Sequence, residues 1–177
     1  MALKYCINLS MLYTEYPFLD LFAKVTRAGF KAVECLFPYE FDLTEVRARL
    51  EGLGLVQVLF NLHAGDTSAG EWGTLSDPQR RAYFRSRFTE ALEVAGFLNC
   101  ARLLVMFGNR VKGIDQSVHV ECAAENLSWA APLAAEAGMT LLIEPLNETD
   151  SPTFAQHHTA EALSIIMQVN YPRVKLQ

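Results

Sequence analysis

Short apolar runs alternate with longer amphipathic segments along the chain, and this alternation predicts an order of strands and helices. In the first amphipathic segment, apolar side chains recur at the i, i+3, i+4, i+7 spacing of one helical face, at Phe18, Leu21, Phe22 and Val25. The predicted strands are residues 5–9, 31–37, 55–62, 102–107, 139–143 and 174–177. The predicted helices are residues 17–28, 43–53, 78–97, 118–137 and 159–169.

Repeated strand–helix units predict an α/β fold with a parallel sheet and right-handed crossovers. Two architectures remain open: an open doubly wound sheet and a (β/α)₈ barrel, which normally needs about 250 residues. The length of 177 residues favours the open sheet. Three features favour the barrel: no glycine-rich phosphate turn follows the first strand, polar residues recur where strands end, and the last strand has no helix after it.

An irregular stretch at residues 64–77, rich in Gly, Ser, Asp and Thr, separates the third strand from the third helix. Long loops in compact domains are more often functional than idle. Pro78 is predicted to open the helix, with Asp77 as its cap.

Composition limits the classes of function. A hydrophobic fraction of 51% and a charged fraction of 20% indicate a folded globular domain. The net charge of −5 argues against nucleic acid as a partner. No apolar run reaches the roughly 18 residues of a membrane span, and the first residues do not resemble a signal peptide, so we expect a cytoplasmic protein that does not bind membranes.

The four cysteines are widely spaced, which argues against a zinc or dithiol site, and Cys6 and Cys35 are predicted to be buried free thiols.

The predicted strand at residues 139–143 runs directly into Glu144. An ionised carboxylate is costly to leave unpaired in an apolar setting. At the end of a strand it faces a polar opening, where it can hold a metal ion or move a proton. The alternative is a strand-end glutamate that is paired with a lysine or solvated.

Other polar side chains lie at or near strand ends. Asn8, Asn61 and Asn147 are candidates for substrate binding, although hydrogen bonding to the local backbone explains each of them equally well. Glu34 is either an inward residue that supports the site or a structural carboxylate. Histidine as a residue type titrates near neutrality, so a catalytic role is considered for His63, but a surface or capping role is the stronger expectation.

Four motifs occur in order along the chain: NLSMLYTE at residues 8–15, AVECLFPY at 32–39, FNLHAGD at 60–66 and LIEPLN at 142–147. Together they closely resemble the hydroxypyruvate isomerase family. That family includes the bacterial 2-oxo-tetronate isomerases and belongs to the xylose-isomerase-like barrel superfamily.

The resemblance implies a (β/α)₈ barrel and an aldose–ketose isomerase that uses Mg²⁺ or Mn²⁺. The implied substrate is a small hydroxy acid, converted from hydroxypyruvate to tartronate semialdehyde or between 2-oxo-tetronates. The residue matching Glu144 is a metal ligand and a proton donor or acceptor in that family. Glu71 matches a loop glutamate and becomes a candidate for substrate contact.

The chain also departs from the family pattern. Trp72 stands where the family usually has an arginine, and His63 stands where it often has a proline. The family's next metal ligand follows the sixth strand in an aromatic-Asp-x-Tyr-His run, and this sequence ends at Gln177 where that run should begin. We therefore expect one domain over residues 1–177, an incomplete barrel of about five βα units plus a sixth strand. It is truncated at its C-terminus and has little isomerase activity alone.

Two alternatives remain open. The chain is a non-catalytic domain that binds a ligand or pairs with a complementary half-barrel, or it is a sugar-acid epimerase on the same scaffold. In an incomplete barrel the first and sixth strands would be exposed edges, which invite association. A homo-oligomer is therefore left open as a partner, beside the small-molecule substrate.

Overall fold

The computed structural model describes residues 3–177, and these form a six-stranded parallel sheet with five α-helices. The strands are β1 Ile7–Asn8, β2 Ala32–Cys35, β3 Val56–Asn61, β4 Arg102–Leu104, β5 Thr140–Ile143 and β6 Val174–Leu176. The helices are α1 Phe18–Arg27, α2 Leu43–Leu53, α3 Arg81–Leu98, α4 Gln116–Glu136 and α5 Thr159–Val169. Two short 3₁₀ helices lie at Pro38–Glu40 and Thr67–Ala69.

Each strand pairs in parallel with the next strand along the chain, in the order β1-β2-β3-β4-β5-β6. A doubly wound sheet reverses its strand order at one point. Residues 3–177 contain no such reversal, so the open doubly wound alternative is wrong. The α/β fold with six barrel-type strands is confirmed.

Alternate residues of each strand point to opposite faces of the sheet. On one face, Phe60 and Leu103 are fully buried in the hydrophobic core. On the other face, Leu59, Asn61 and Leu104 line a cavity at the ends of the strands. The alternation of side chains along each strand therefore places the core and the cavity on opposite faces of the sheet.

Local signals explain where the second helix begins and ends. The side chain of Asp42 accepts hydrogen bonds from the backbone N–H groups of Thr44 and Glu45, so it caps α2. Gly54 then ends the helix in a left-handed conformation, with φ 63°.

The prediction for the start of the third helix was wrong. It begins at Arg81 rather than Pro78, because residues 77–80 form a separate turn. The Asp77 side chain accepts from the N–H of Gln79, and the Asp77 carbonyl accepts from the N–H of Arg80. Asp77 does act as a cap, but it caps this turn and not helix α3.

All four cysteines are free thiols, but the burial prediction for one of them was wrong. Cys35 is buried, whereas Cys6 is exposed, because it precedes β1, a two-residue strand at the edge of the sheet. None of the helices within residues 3–177 combines the length and the apolar character needed to cross a membrane.

Candidate active site

A cavity of about 310 Å³ lies at the carboxyl ends of the strands. Three predicted site residues line it together: Asn8 from β1, Asn61 from β3 and Glu144 directly after β5. Residues far apart in sequence converge here because the carboxyl ends of parallel strands meet at one edge of the sheet, where active sites of barrel enzymes lie. The chemical roles of the three residues stay predictions.

Glu144 is half-buried in this cavity. Loss of solvent raises the pKa of its carboxyl group above the ordinary value, and the nearby charge of Glu34 raises that pKa further. Within residues 3–177, neither carboxylate has a Lys, Arg or His nitrogen within 4.0 Å. The cavity therefore concentrates negative charge that a cation or a proton would relieve.

Glu34 is held in place by the neighbouring strand. Its Oε1 accepts a hydrogen bond of 3.0 Å from Nδ2 of Asn8. The Asn8 Oδ1 in turn accepts from the N–H of Ser10, and the Ser10 hydroxyl oxygen accepts from the N–H of Leu36, each at 2.9 Å. These three hydrogen bonds join the ends of β1 and β2 at the cavity.

Asn61 is buried, yet its amide makes little use of protein partners. Its Nδ2 lies 3.5 Å from the sulfur of Met106, which is a weak acceptor. Its backbone carbonyl accepts from the Tyr39 hydroxyl at 3.1 Å, which fixes the end of β3. The amide is therefore available to a molecule in the cavity.

Glu71 does not line the cavity. Its carboxylate pairs with the Arg80 guanidinium at 2.8 Å and accepts from the N–H of Asp66 at 2.6 Å. The bond from Arg80 is the largest reason why the pKa of Glu71 lies below its ordinary value. In this structure Glu71 supports the loop after β3, and its predicted contact with substrate stays a prediction.

The residue after Glu71 does reach the cavity. Trp72 forms part of the wall and keeps 36% of its surface exposed. The backbone of Gly73 pairs with Phe107 beyond β4 and fixes the position of this loop. Trp72 is therefore part of the cavity wall.

Asn147 also lies outside the cavity lining. Its amide binds Asp150, through an Nδ2 to Oδ2 contact of 2.7 Å and a bond from the Asp150 N–H to its Oδ1 of 2.9 Å. Two other residues of this loop, Leu146 and Ser151, line the cavity instead. The predicted role of Asn147 in substrate binding stays a prediction.

His63 is likewise absent from the lining. Its ring stacks on Tyr39 with 3.7 Å between the ring centroids, and Nε2 lies 3.7 Å from Glu90. Burial lowers the pKa of the imidazole. These contacts describe a partly buried, packed histidine rather than a surface or capping one, and its expected non-catalytic role stays a prediction.

The sequence left two alternatives for Glu34, an inward residue that supports the site or a structural carboxylate, and the cavity lining includes it. Met106 and Ser151 were not predicted as lining residues. A signal for Glu34 exists in the strand alignment, since Asn8 pairs directly with Glu34 across β1 and β2. Met106 lies two residues after Leu104 in the strand predicted at 102–107, so alternation along that strand is a signal for it, whereas only the loop conformation places Ser151.

The donor set for a metal ion is only partly present. Glu144 and Glu34 offer the oxygen ligands that Mg²⁺ and Mn²⁺ prefer, in a cavity with unbalanced negative charge. Residues 3–177 nevertheless contain no group of three or more His, Cys, Asp or Glu side chains placed to hold a metal. The described residues therefore fit a metal as partial ligands and not as a complete site.

A family model described as "Xylose isomerase-like TIM barrel" matches residues 22–177. A 2-oxo-tetronate isomerase from Cupriavidus necator is 42% identical over 98% of this chain and 67% of its own length. A hydroxypyruvate isomerase from Escherichia coli is 36% identical over 99% of this chain and 68% of its own length. The chain thus spans about two thirds of the length of these relatives.

Two solved structures extend the comparison. A Brucella melitensis protein described as an AP endonuclease of family 2 superposes with a TM-score of 0.95 at 38% identity, over 98% of this chain and 67% of its own. D-psicose 3-epimerase from Clostridium cellulolyticum superposes with a TM-score of 0.77 at 21% identity, over 98% of this chain and 62% of its own, which supports the fold alone. On these matches, the chain belongs to the xylose isomerase-like TIM barrel family.

Proposed function

We propose that this chain belongs to a metal-dependent aldose–ketose isomerase for small hydroxy acids, such as hydroxypyruvate or a 2-oxo-tetronate. The observation that carries the proposal is that the Glu144 carboxylate is half-buried in the cavity at the strand ends and has no cationic partner among residues 3–177. The names of the relatives, 2-oxo-tetronate isomerase and hydroxypyruvate isomerase, supply the class of reaction and substrate.

Isomerisation of an α-hydroxy carbonyl moves a proton between adjacent carbon atoms. A base for that step works best when its pKa lies near the operating pH. Burial and the charge of Glu34 move the pKa of Glu144 upward, in the direction that this task requires. Glu144 is therefore assigned the proton transfer, and the amides of Asn8 and Asn61 are assigned hydrogen bonds to substrate oxygens.

A hard divalent cation, when bound, stabilises negative charge on the substrate oxygens during such a reaction. Glu144 is the candidate ligand in this chain, and the negative field of Glu34 supports binding of a cation. Because residues 3–177 lack a group of three metal-binding side chains, we propose that the 177-residue chain alone binds metal weakly and turns over slowly.

A chimera tests the proposal. In the Cupriavidus necator relative, the segment that aligns with this chain, 67% of the length of that relative, is replaced by this chain. Turnover of hydroxypyruvate and 2-oxo-tetronates is then measured with Mn²⁺ and after chelation. We expect turnover that depends on metal and that E144Q lowers by at least about 10²-fold, the lower end of typical acid–base contributions.

The matched control is E148Q, which removes the same charge four residues later and outside the cavity lining. Turnover that survives E144Q, or that needs no metal, contradicts the proposal. The isolated chain is assayed in parallel, and turnover equal to that of the chimera would contradict its proposed low activity.

A further inference from the structure

Glu34 occupies a defined position in the cavity that the proposed proton transfer does not use. The alignment of β2 with β3 shifts by one residue between Val33 and Glu34. Such bulges redirect side chains and are frequent next to active sites. Here the shift places Glu34 opposite Leu59, and both side chains line the cavity.

The two oxygens of the Glu34 carboxylate differ in their partners. Oε1 accepts the bond from Asn8, whereas the only protein donor near Oε2 among residues 3–177 is the Cys6 thiol, at 4.0 Å. A thiol is a weak donor. Oε2 therefore remains free to accept a hydrogen bond from a molecule in the cavity.

The position of this free oxygen is fixed before any ligand arrives. Asn8 holds Oε1 and is itself held by the N–H of Ser10, while the Ser10 hydroxyl holds the N–H of Leu36. An acceptor held in advance by its own partners loses little freedom on binding and so discriminates well between ligands.

The charge of Glu34 is as informative as its geometry. No Lys or Arg of residues 3–177 lines the cavity, so no cation of the described chain neutralises it there. A carboxylate of a ligand placed beside Glu34 would meet a like charge, whereas a hydroxyl would find an acceptor. The wall formed by Trp72, Met106 and Leu146 is apolar and repels neither the carboxylate nor the hydroxyl group of a ligand.

We propose that Glu34 is a specificity-determining residue that orients a hydroxy acid in the cavity. Its Oε2 accepts a hydrogen bond from the hydroxymethyl end of the substrate, and its charge excludes a carboxylate from that position. Substrates with one carboxylate and one hydroxymethyl end fit, and dicarboxylates of the same length do not. This inference rests on the proposed function for the identity of the site.

Two ligands that differ only at one end test the inference. D-glycerate carries a hydroxymethyl group where tartronate carries a second carboxylate. Each is titrated into the full 177-residue chain at constant free Mg²⁺, and binding is followed by NMR, which tolerates weak affinity. We expect the wild-type chain to bind glycerate about tenfold more tightly than tartronate, because like-charge contacts strongly suppress wrong partners.

Four variants separate charge from position. E34Q removes the charge and is expected to bring the ratio of the two dissociation constants close to one. E34D keeps the charge and is expected to keep the preference. N8A releases the anchor and is expected to weaken glycerate binding while the preference remains. E40Q removes a charge from the 3₁₀ helix that follows β2, outside the cavity lining, and is expected to leave both dissociation constants unchanged.

Equal binding of the two ligands to the wild-type chain, binding of neither ligand, or an unchanged ratio in E34Q overturns the inference. If E34Q does not fold, as judged from its NMR spectrum, loss of the preference in E34D overturns it instead. Turnover of the chimera is a separate measurement. Turnover without the expected preference defeats the inference alone, and the preference without turnover defeats the isomerase proposal alone.

Discussion

The rim of the cavity has two halves that are built differently. The loops after β3, β4 and β5, residues 62–80, 105–115 and 144–158, form one half, here called the braced rim. The loop after β1, residues 9–17, forms the other half, here called the open rim. The braced rim is joined by backbone contacts and buried side chains, whereas the open rim exposes apolar side chains to solvent.

Close contact between two glycines defines the braced rim. Gly73 and Gly108 both have positive φ values, 118° and 108°. A Cβ atom built on Gly73 would lie 2.2 Å from the carbonyl oxygen of Met106, and one built on Gly108 would lie 2.7 Å from the carbonyl oxygen of Gly73. Only residues without side chains allow the two loops to approach so closely.

Side chains from α4 complete the bracing. His119 is buried, its Nδ1 lies 3.0 Å from the carbonyl oxygen of Ser76, and its Nε2 accepts from the N–H of Val111 at 3.2 Å. Asn126 donates to the carbonyl oxygen of Leu75 at 2.8 Å. The loop that carries Trp72 is thus held to α4 and to the loop after β4 at several points.

The open rim has few such contacts. β1 pairs with β2 through only two residues, and Met11 and Leu12 are 65% and 51% exposed. Tyr13 has a φ of 60°, which is unusual for a bulky side chain. Segments with few buried contacts open at low free energy. The comparison indicates that the braced rim fixes the Trp72 wall, whereas the open rim is held by fewer contacts.

Substitution at the glycine contact gives the largest expected effect. We expect G73A to destabilise the fold by about 2–5 kcal/mol, combining left-handed strain of about 1–2 kcal/mol with overpacking of about 1–3 kcal/mol. Urea unfolding followed by circular dichroism measures it. G113A is the control, since Gly113 has a φ of 80° with no atom within 4 Å of a built Cβ, and it should show the strain alone. Equal losses in the two variants would contradict the close approach.

Removal of the imidazole at position 119 tests the bracing by α4. H119A leaves the carbonyl of Ser76 and the N–H of Val111 without this partner, at an expected cost of about 2–4 kcal/mol in unfolding free energy. Amide exchange at Val111 should accelerate. H158A removes an exposed histidine and should stay within about 0.5 kcal/mol of the wild type. A loss in H119A no larger than that of H158A would show that the braced rim does not depend on this histidine.

The open rim should respond less and only locally. N8A removes the bond to Glu34 and the bond from Ser10, and we expect a loss of about 1 kcal/mol because the site is partly solvated. Amide exchange should accelerate at Ser10 and Leu36. It should stay unchanged at Gly73, whose N–H donates to the carbonyl of Ala64 in the braced rim. Acceleration at Gly73 would mean that the two halves are coupled rather than independent.

The sequence predicted the scaffold better than it predicted the rim. α2 and α5 have the predicted bounds, because apolar spacing and end signals are local properties. The convergence of Asn8, Asn61 and Glu144 follows from strand ends alone. By contrast, Glu71 turns away to Arg80, since its orientation depends on a residue nine positions later and on the fold of the loop.

The effect expected to be smallest is at Glu144, the first residue of the loop after β5 in the braced rim. A carboxyl group whose pKa is higher in the folded chain than in the unfolded chain binds its proton more tightly when folded. Its contribution to stability is therefore fully present below the ordinary value of 4.5 and is lost as the pH rises through the folded pKa. E144Q, which stays neutral, should therefore be slightly more stable than the wild type at pH 7, and this gain should vanish as the pH falls below 4.5.

Thermal unfolding of both proteins from pH 3 to pH 8 measures this difference, and E148Q, outside the cavity lining, serves as the control. E34Q should lower the pKa of Glu144, because it removes the like charge on β2 that helps to raise that pKa. A wild type more stable than E144Q at pH 7 would mean that an unseen partner stabilises the carboxylate. Its charge would then be a structural feature of the rim rather than a destabilising one kept for chemistry.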